Sequence, residues 1–253
     1  FPVDVFTRWE SPDQPEVCEW APGVRVIHVR AGPPAYLKKD LLLPYMPEFR
    51  DWILRFAATR GTGYQLIHGN FWMSGWVGSE LKRAWQVPFI QIFHALGAIK
   101  RLYQGTADTS PPERFAIELA VLAAADRVIA QCPAEVRELQ EYYGADPAKV
   151  VVIPSAVNVR LFRPLEKRVA RRVLGWPADE AILLYVGRLL PRKGVDNVIR
   201  ALPLLAERVD VPFRLYVVGG ETAAADLARE PEMRRLRAIA AELGVLDRVH
   251  FVG

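Results

Sequence analysis

Only two of the 253 residues are cysteine, only four are histidine and only three are methionine. Cys18 and Cys132 are too few and too far apart in sequence to hold a zinc ion or to build a disulfide framework. A reducing, cytoplasmic compartment is therefore the expectation. No uninterrupted apolar run approaches the roughly 18–20 residues that a membrane span requires, and no stretch reads as a secretory signal peptide. No block of five or six like charges marks a nucleic-acid-binding tail. The seven tryptophans do not interleave with basic residues in one stripe, so nothing points to a nucleic-acid partner either. What is present is an ordinary globular balance, 51% hydrophobic and 25% charged, enough for one large core or two small ones. The net charge of +4, from 33 Lys+Arg against 29 Asp+Glu, is mild and suits a basic site for phosphates.

Short apolar runs alternate with longer helical stretches. Strands are predicted over 2–7, 24–29, 65–68, 88–93, 127–130, 150–153, 182–186, 213–218 and 249–252. These runs alternate little between apolar and polar, as strands buried on both faces do. Ser110-Pro111-Pro112-Glu113 reads as a helix start, with Ser110 as cap, Pro111 in the first turn and Glu113 closing a capping box. A second helix opens at Asp196 and carries Pro203, which should bend or interrupt it. A third covers 232–243 and ends at Gly244, where a left-handed glycine belongs. Strand–helix alternation of this kind predicts parallel α/β sheets with right-handed crossovers.

Two such series follow one another. The stretch from 154 to 181 carries prolines and charges, no strand and one short helix over 166–174, so it reads as a linker. A domain boundary is expected near residue 160, giving domains of 1–160 and 161–253. The second series has only three strands. Phe1 stands at the start of one strand and Gly253 just behind another, so both ends are expected to cut through a fold.

In open parallel sheets, ligands bind beyond the carboxyl ends of the strands. The residues falling there are His68-Gly69-Asn70, His94, Pro154-Ser155, Gly187-Arg188 and Gly219-Gly220-Glu221. Glycines at that edge allow close backbone approach to a ligand. The richest segment is ILLYVGRLLPRKGVDNVIRAL. A buried strand runs into Gly187-Arg188, a short loop brings Lys193-Gly194, and a helix begins. Its free amides and dipole favour an anion, and Arg188 and Lys193 add a fork and a point charge suited to a diphosphate. The loop lacks Walker spacing, and solvated loop cations remain the commoner fate of Arg and Lys. His94, at a strand end before a glycine turn, is a second candidate, against the ordinary fate of a satisfied structural histidine. Lys39, Lys100 and Arg114 read singly as surface residues; only shared geometry could raise them.

At these residues the sequence resembles the retaining GT-B glycosyltransferases that include sucrose(-phosphate) synthases and inositol-phosphate N-acetylglucosamine transferases. The markers are LIHGNFWMSGWVG (66–78), QIFHALGAIK (91–100), PPERFAIE (111–118), AADRVIAQCPAE (124–135), YGADPAKVVVIPSAVNVRLFRP (143–164), YVGRLLPRKGVDNVIRAL (185–202) and RLRAIAAELGVLDRVHFVG (235–253). Their order and spacing are more specific than any one of them.

The resemblance implies two Rossmann-like domains with parallel sheets facing a cleft, both incomplete here: an N-terminal acceptor side and a C-terminal donor side. It implies that Arg188 and Lys193, with Gly187, Gly219 and Gly220, hold a nucleotide-sugar donor, UDP-linked by family frequency. It implies that His94 contacts the donor sugar, that transfer retains the anomeric configuration, and that no metal or other cofactor is needed. Cations matching Lys39, Lys100 and Arg114, together with Asn70, imply an acceptor carrying a sugar or polyol phosphate. Phe71 and Ala95 stand where the inositol-phosphate enzymes carry hydroxyls, so a different phosphorylated acceptor, or a neutral sugar, stays open. The family's first strand with its glycine-rich loop should precede Phe1, and its E-x7-E segment should follow Gly253. A chain of these residues alone is therefore expected to be inactive. A nucleotide-sugar sensor without turnover and a nucleotide-sugar 2-epimerase are the rival readings.

Overall fold

A computed structural model describes residues 1–220 and 230–253. The chain forms two compact units, Phe1–Val157 and Asn158–Gly253. The first unit runs β1 (Val3–Arg8), β2 (Val17–Ala21), β3 (Val24–Val29), α1 (Met46–Arg60), β4 (Ile67–Asn70), α2 (Trp72–Trp85), β5 (Phe89–Ile92), α3 (Gly97–Gln104), α4 (Arg114–Ala124), β6 (Arg127–Ala130), α5 (Pro133–Tyr143) and β7 (Val150–Val152). The second runs α6 (Lys167–Leu174), β8 (Ala181–Val186), α7 (Val195–Ala206), β9 (Phe213–Val218), α8 (Pro231–Glu242) and β10 (Val249–Phe251).

In the first unit β4-β5-β6-β7 form a parallel sheet in sequential order. A helix between successive strands makes each crossover, so all four carboxyl ends share one edge. The core beneath is built on Trp72, Phe89, Phe93, Val121 and Leu139, none more than 2% exposed. At about 1.5–3 kcal/mol for each large apolar side chain buried, this layer holds the edge rigid. A second sheet has the order β1-β3-β2, with β1 parallel and β2 antiparallel to β3. Strand β2 was not expected from the sequence. It is a short edge strand that leads into β3 through Pro22 and a left-handed Gly23 (φ 76°), with a register shift between Glu19 and Ala21. Its residues are partly or fully exposed, and Trp20 is 76% exposed, so it has no buried face to impose an apolar pattern.

The second unit is a parallel sheet of order β10-β9-β8. Its central strand β9 is the most buried: Phe213, Leu215 and Val217 share a core with Val195, Ile199 and Leu202 of α7 and Leu236 of α8, and the buried Tyr216 stacks on Trp176. Glu166 caps α6 by accepting the Val169 amide at 2.9 Å. Pro203 lies inside α7, and the helix stops three residues later at Ala206. Gly244 adopts the left-handed conformation beyond α8 (φ 66°).

The predicted capping box is not formed. Helix α4 begins at Arg114, and Glu113, its N-cap residue, makes no side-chain cap. The Ser110 hydroxyl has other work: it accepts from Lys100 Nζ at 2.9 Å and from Arg114 at 3.2 Å. Among the described residues no helix is long and apolar enough to cross a membrane.

Candidate functional site

The carboxyl edge of the four-stranded sheet carries a row of polar side chains. Asn70 ends β4, His94 follows β5, Gln131 follows β6 and Ser155 lies just beyond β7. The His94 Nε2 is 3.1 Å from Asn70 Oδ1, and its Nδ1 is 3.4 Å from Gln131 Oε1. Gln131 Nε2 donates to the Ser155 hydroxyl at 2.5 Å. The Gln131 amide N–H is tied to Glu135 Oε2 at 2.7 Å. His94 (φ 59°) and Phe71 (φ 76°) both adopt the left-handed half of backbone space, rare for side chains of their size. Strain of about 1–3 kcal/mol per such residue is characteristic of functional sites. Its effect here is local: the chain leaves β5 sharply and His94 stays exposed at the edge. His68, in β4, titrates below the usual histidine range, first because burial disfavours its charged form and second because His94 faces it.

The three candidate acceptor cations are not alike. Lys39 is exposed, with its ammonium 5.8 Å from the Phe71 ring centroid. The Arg114 guanidinium lies 5.3 Å from the same centroid, but its side chain is only 3% exposed. Its nitrogens donate to Glu118 at 2.8 Å, to Ser110 at 3.2 Å and to the Ala95 carbonyl at 2.6 Å. Glu118 is fully buried and also accepts from the Gly97 amide, at 3.0 and 3.1 Å, and from the Tyr143 hydroxyl. The Tyr143 oxygen in turn accepts the Ala98 amide at 2.9 Å. Burial, together with its bond to Glu118, pushes the Tyr143 phenol above its ordinary range. The first two amides of α3 are thus closed by an internal carboxylate and a phenol. The reading of Arg114 as a surface residue is corrected: it is the cation of a buried network.

Lys100 is likewise engaged, 2.7 Å from Asp108 and 2.9 Å from Ser110. Burial alone would raise the Asp108 carboxyl, but hydrogen bonds from Lys100 and Ser110 outweigh it and hold it at about 2, below the ordinary 3.8. A depressed carboxylate stabilises the fold above its unfolded-state value and loses that stabilisation as pH falls. Asp108→Asn is therefore expected to remove about 1–2 kcal/mol of stability at pH 7. The variant should also flatten the stability profile between pH 4 and pH 2. Denaturant melts across that range check it, and an unchanged acid limb would contradict the assignment.

In the second unit, glycines gather at the carboxyl edge. Gly187 follows β8, Gly219 and Gly220 follow β9, and Gly253 lies just beyond β10. The Gly187 amide donates to the Val218 carbonyl at 3.0 Å, and the Gly219 amide to the Gly253 carbonyl at 3.1 Å. A Cβ at Gly219 would stand 1.9 Å from the Gly187 carbonyl oxygen, so no larger residue fits. Arg188 follows at once. Lys193 ends a short 3-10 turn (Pro191–Lys193), and Gly194 (φ 68°) turns the chain into α7. The first turn of α7 has no side-chain cap. Arg188 and Lys193 are exposed, and among the described residues neither side chain has a hydrogen-bond or ion-pair partner. Glu221 lies outside the described residues. Among the described residues no group of three or more His, Cys, Asp and Glu gathers as metal ligands would.

Sequence reasoning missed Gln131, Asp108, Glu118 and Tyr143. Gln131 was open to the same strand-end logic as His94, and Glu118 to the i,i+4 spacing from Arg114. Tyr143 carries no such signal, because its partners lie 25 and 45 residues away.

Parallel α/β units with glycines and polar side chains gathered at their carboxyl edges define a Rossmann-like class of protein, in which ligands bind at that edge. Within that class the chain belongs to the glycosyltransferases of the GT-B fold: the glycosyl transferase 4-like domain family matches residues 1–156, and glycosyl transferases group 1 matches residues 166–253. It is 41% identical to a D-inositol 3-phosphate glycosyltransferase of Acidothermus cellulolyticus over 98% of this chain and 56% of that protein. It is 40% identical to the protein of that description in Thermobispora bispora, over 97% of this chain and 58% of that one. Among solved structures, a sucrose-phosphate synthase from Thermosynechococcus elongatus superposes with a TM-score of 0.84 at 33% identity, over 99% of this chain and 60% of that one. Anabaena Alr3699/HepE, solved in complex with UDP-glucose, shares the fold with a TM-score of 0.65 at 20% identity, over 90% of this chain and 55% of that one. The chain thus spans between half and two thirds of the length of these relatives.

Proposed function

We propose that these residues belong to a glycosyltransferase that moves a sugar from a nucleotide-sugar donor to a hydroxyl of a sugar-phosphate or polyol-phosphate acceptor, with retention of configuration. The observation that carries this reading is the contrast between cations. Arg114 and Lys100 are matched by Glu118 and Asp108, whereas Arg188 and Lys193 stand exposed, without partners among the described residues, beside a glycine edge and an uncapped helix. Two such cations suit a diphosphate, and they offset the charge that develops on it as the glycosyl bond breaks. Gly187, Gly219 and Gly220 let it approach the backbone. The unit of residues 158–253 is thus the donor side, and a UDP-linked sugar is the donor proposed, in keeping with the fold's occurrence in a protein solved with UDP-glucose.

The unit of residues 1–157 is the acceptor side. His94 meets the donor sugar, and Asn70 and Lys39 meet the acceptor. Lys100 and Arg114 set the electrostatics and shape of that subsite from behind. The names of the relatives reported above favour a phosphorylated acceptor. Phe71 gives it a ring in place of the hydroxyl that the resemblance implies for the inositol-phosphate enzymes, so a phosphorylated acceptor other than theirs is the one proposed. Front-face attack, with the leaving phosphate taking the acceptor's proton, is the retaining step proposed.

The test is release of nucleotide from a panel of nucleotide sugars, with each acceptor offered phosphorylated and dephosphorylated. Turnover is expected with a phosphorylated acceptor, and at least tenfold less without the phosphate, about the worth of one charge-assisted hydrogen bond. Binding without product at any protein concentration would instead mark a sensor. Conversion of the donor sugar without any acceptor would mark an epimerase.

A further inference from the structure

We propose that Gln131 is a positioning residue that holds the ring of His94 in one orientation and one neutral tautomer. This inference rests on the reading of His94 as the residue that meets the donor sugar. His94 is exposed and leaves β5 in the left-handed conformation, so packing alone does not fix its ring. Two amides do. Asn70 stands 3.1 Å from Nε2 and Gln131 stands 3.4 Å from Nδ1. A neutral imidazole has one N–H and one lone pair, so one of the two amides must receive and the other must give. Asn70 is free to serve either role by turning its amide. Gln131 is anchored at its far end by the Ser155 hydroxyl at 2.5 Å, and its backbone is anchored by Glu135. The more firmly held amide decides which nitrogen carries the proton. The chain Asn70–His94–Gln131–Ser155 crosses the carboxyl ends of all four strands of the sheet, so its geometry is inherited from the rigid core beneath.

Three charged or titratable groups lie near His94. His68 faces it from β4, Glu135 stands behind Gln131 at the start of α5, and Arg114 reaches the carbonyl of Ala95, the next residue. None of them hydrogen-bonds to the ring. Gln131→Glu puts a carboxylate in place of the amide oxygen and favours the imidazolium. Gln131→Met removes the contact while keeping similar volume.

The experiment is nitrogen NMR of His94, identified by its loss in His94→Asn, run beside transfer kinetics. In Gln131→Glu the titration midpoint of His94 is expected to rise by about one pH unit, and the acid limb of kcat to move with it. In Gln131→Met the ring signals should shift toward a mixture of tautomers, and kcat should fall about tenfold with the acceptor KM unchanged. Ser155→Ala should shift the signals the same way but less. His94 signals identical to the parent in all three proteins would overturn the inference. Altered signals with unaltered transfer would uphold the positioning of His94 and sink instead the reading that His94 faces the donor sugar.

Discussion

Arg188→Ala and Lys193→Ala are each expected to lower kcat for sugar transfer by about 10²–10³, the usual cost of removing one preorganised group that stabilises developing charge. Folding should be unaffected. Both side chains are exposed and, among the described residues, unpartnered, so truncating either leaves no buried charge behind. Donor affinity should fall less than the rate, because the charge on the leaving diphosphate grows as the glycosyl bond breaks. Initial rates of nucleotide release, with melting curves beside them, make the measurement. If both variants turn over like the parent, the diphosphate is held elsewhere and the donor assignment fails. Lys193→Arg and Arg188→Lys refine the point: a fork and a point charge are not interchangeable on a diphosphate, so neither swap should restore the parent rate.

The second large effect is on stability. Glu118→Gln keeps the size of the side chain but leaves the Arg114 guanidinium buried without its counter-charge, and Glu118→Leu also removes the acceptor for the Gly97 amide and the Tyr143 hydroxyl. Breaking a buried ion pair from one side costs about 3–5 kcal/mol. For a unit of this size that corresponds to a loss of roughly 6–20 °C in Tm. Arg114→Ala should cost about as much, because Glu118 is then the orphan. A double replacement by Leu and Met should cost far less than the sum of the single changes, since neither charge is then stranded. Calorimetry of the four proteins settles it, and additive single effects would show that the pair is not coupled. This alters how Arg114 can be tested as an acceptor residue. A raised acceptor KM in Arg114→Ala has to be read at a temperature where the variant is folded.

The two families of cations show where sequence reasoning reached and where it stopped. Arg188 and Lys193 were legible because their context is local: an apolar strand, a glycine, a short loop and a helix start within about a dozen residues. His94 and Asn70 were legible as strand-end polar residues. Lys100 and Arg114 were equally visible as residue types, yet their environment depends on partners brought together by folding. Tyr143 approaches Glu118 only because α5 packs beside α4. Lys100 finds Asp108 only because the loop between α3 and α4 folds back. Ser110 looked like a cap because its neighbours in sequence suit one, and it lost that role to two cations that offered its hydroxyl a stronger, charge-assisted bond. Strand β2 escaped because an exposed edge strand needs no apolar face.

The chain alone therefore determined the alternation of strands and helices and the identity of the groups at the strand ends; the expected burial of every strand did not follow, since Leu184 and Val186 of β8 are 56% and 69% exposed. What it did determine follows from local pattern: the period of apolar residues separates strands from helices, and glycine, proline and capping residues act within a few positions of themselves. Tertiary structure alone decided which charges are neutralised, which stay exposed to a ligand, and how His94 is gripped. Those outcomes depend on which side chains folding brings within reach, from Arg114 and Glu118, 4 positions apart, to Ala98 and Tyr143, 45 apart, and packing sets those distances.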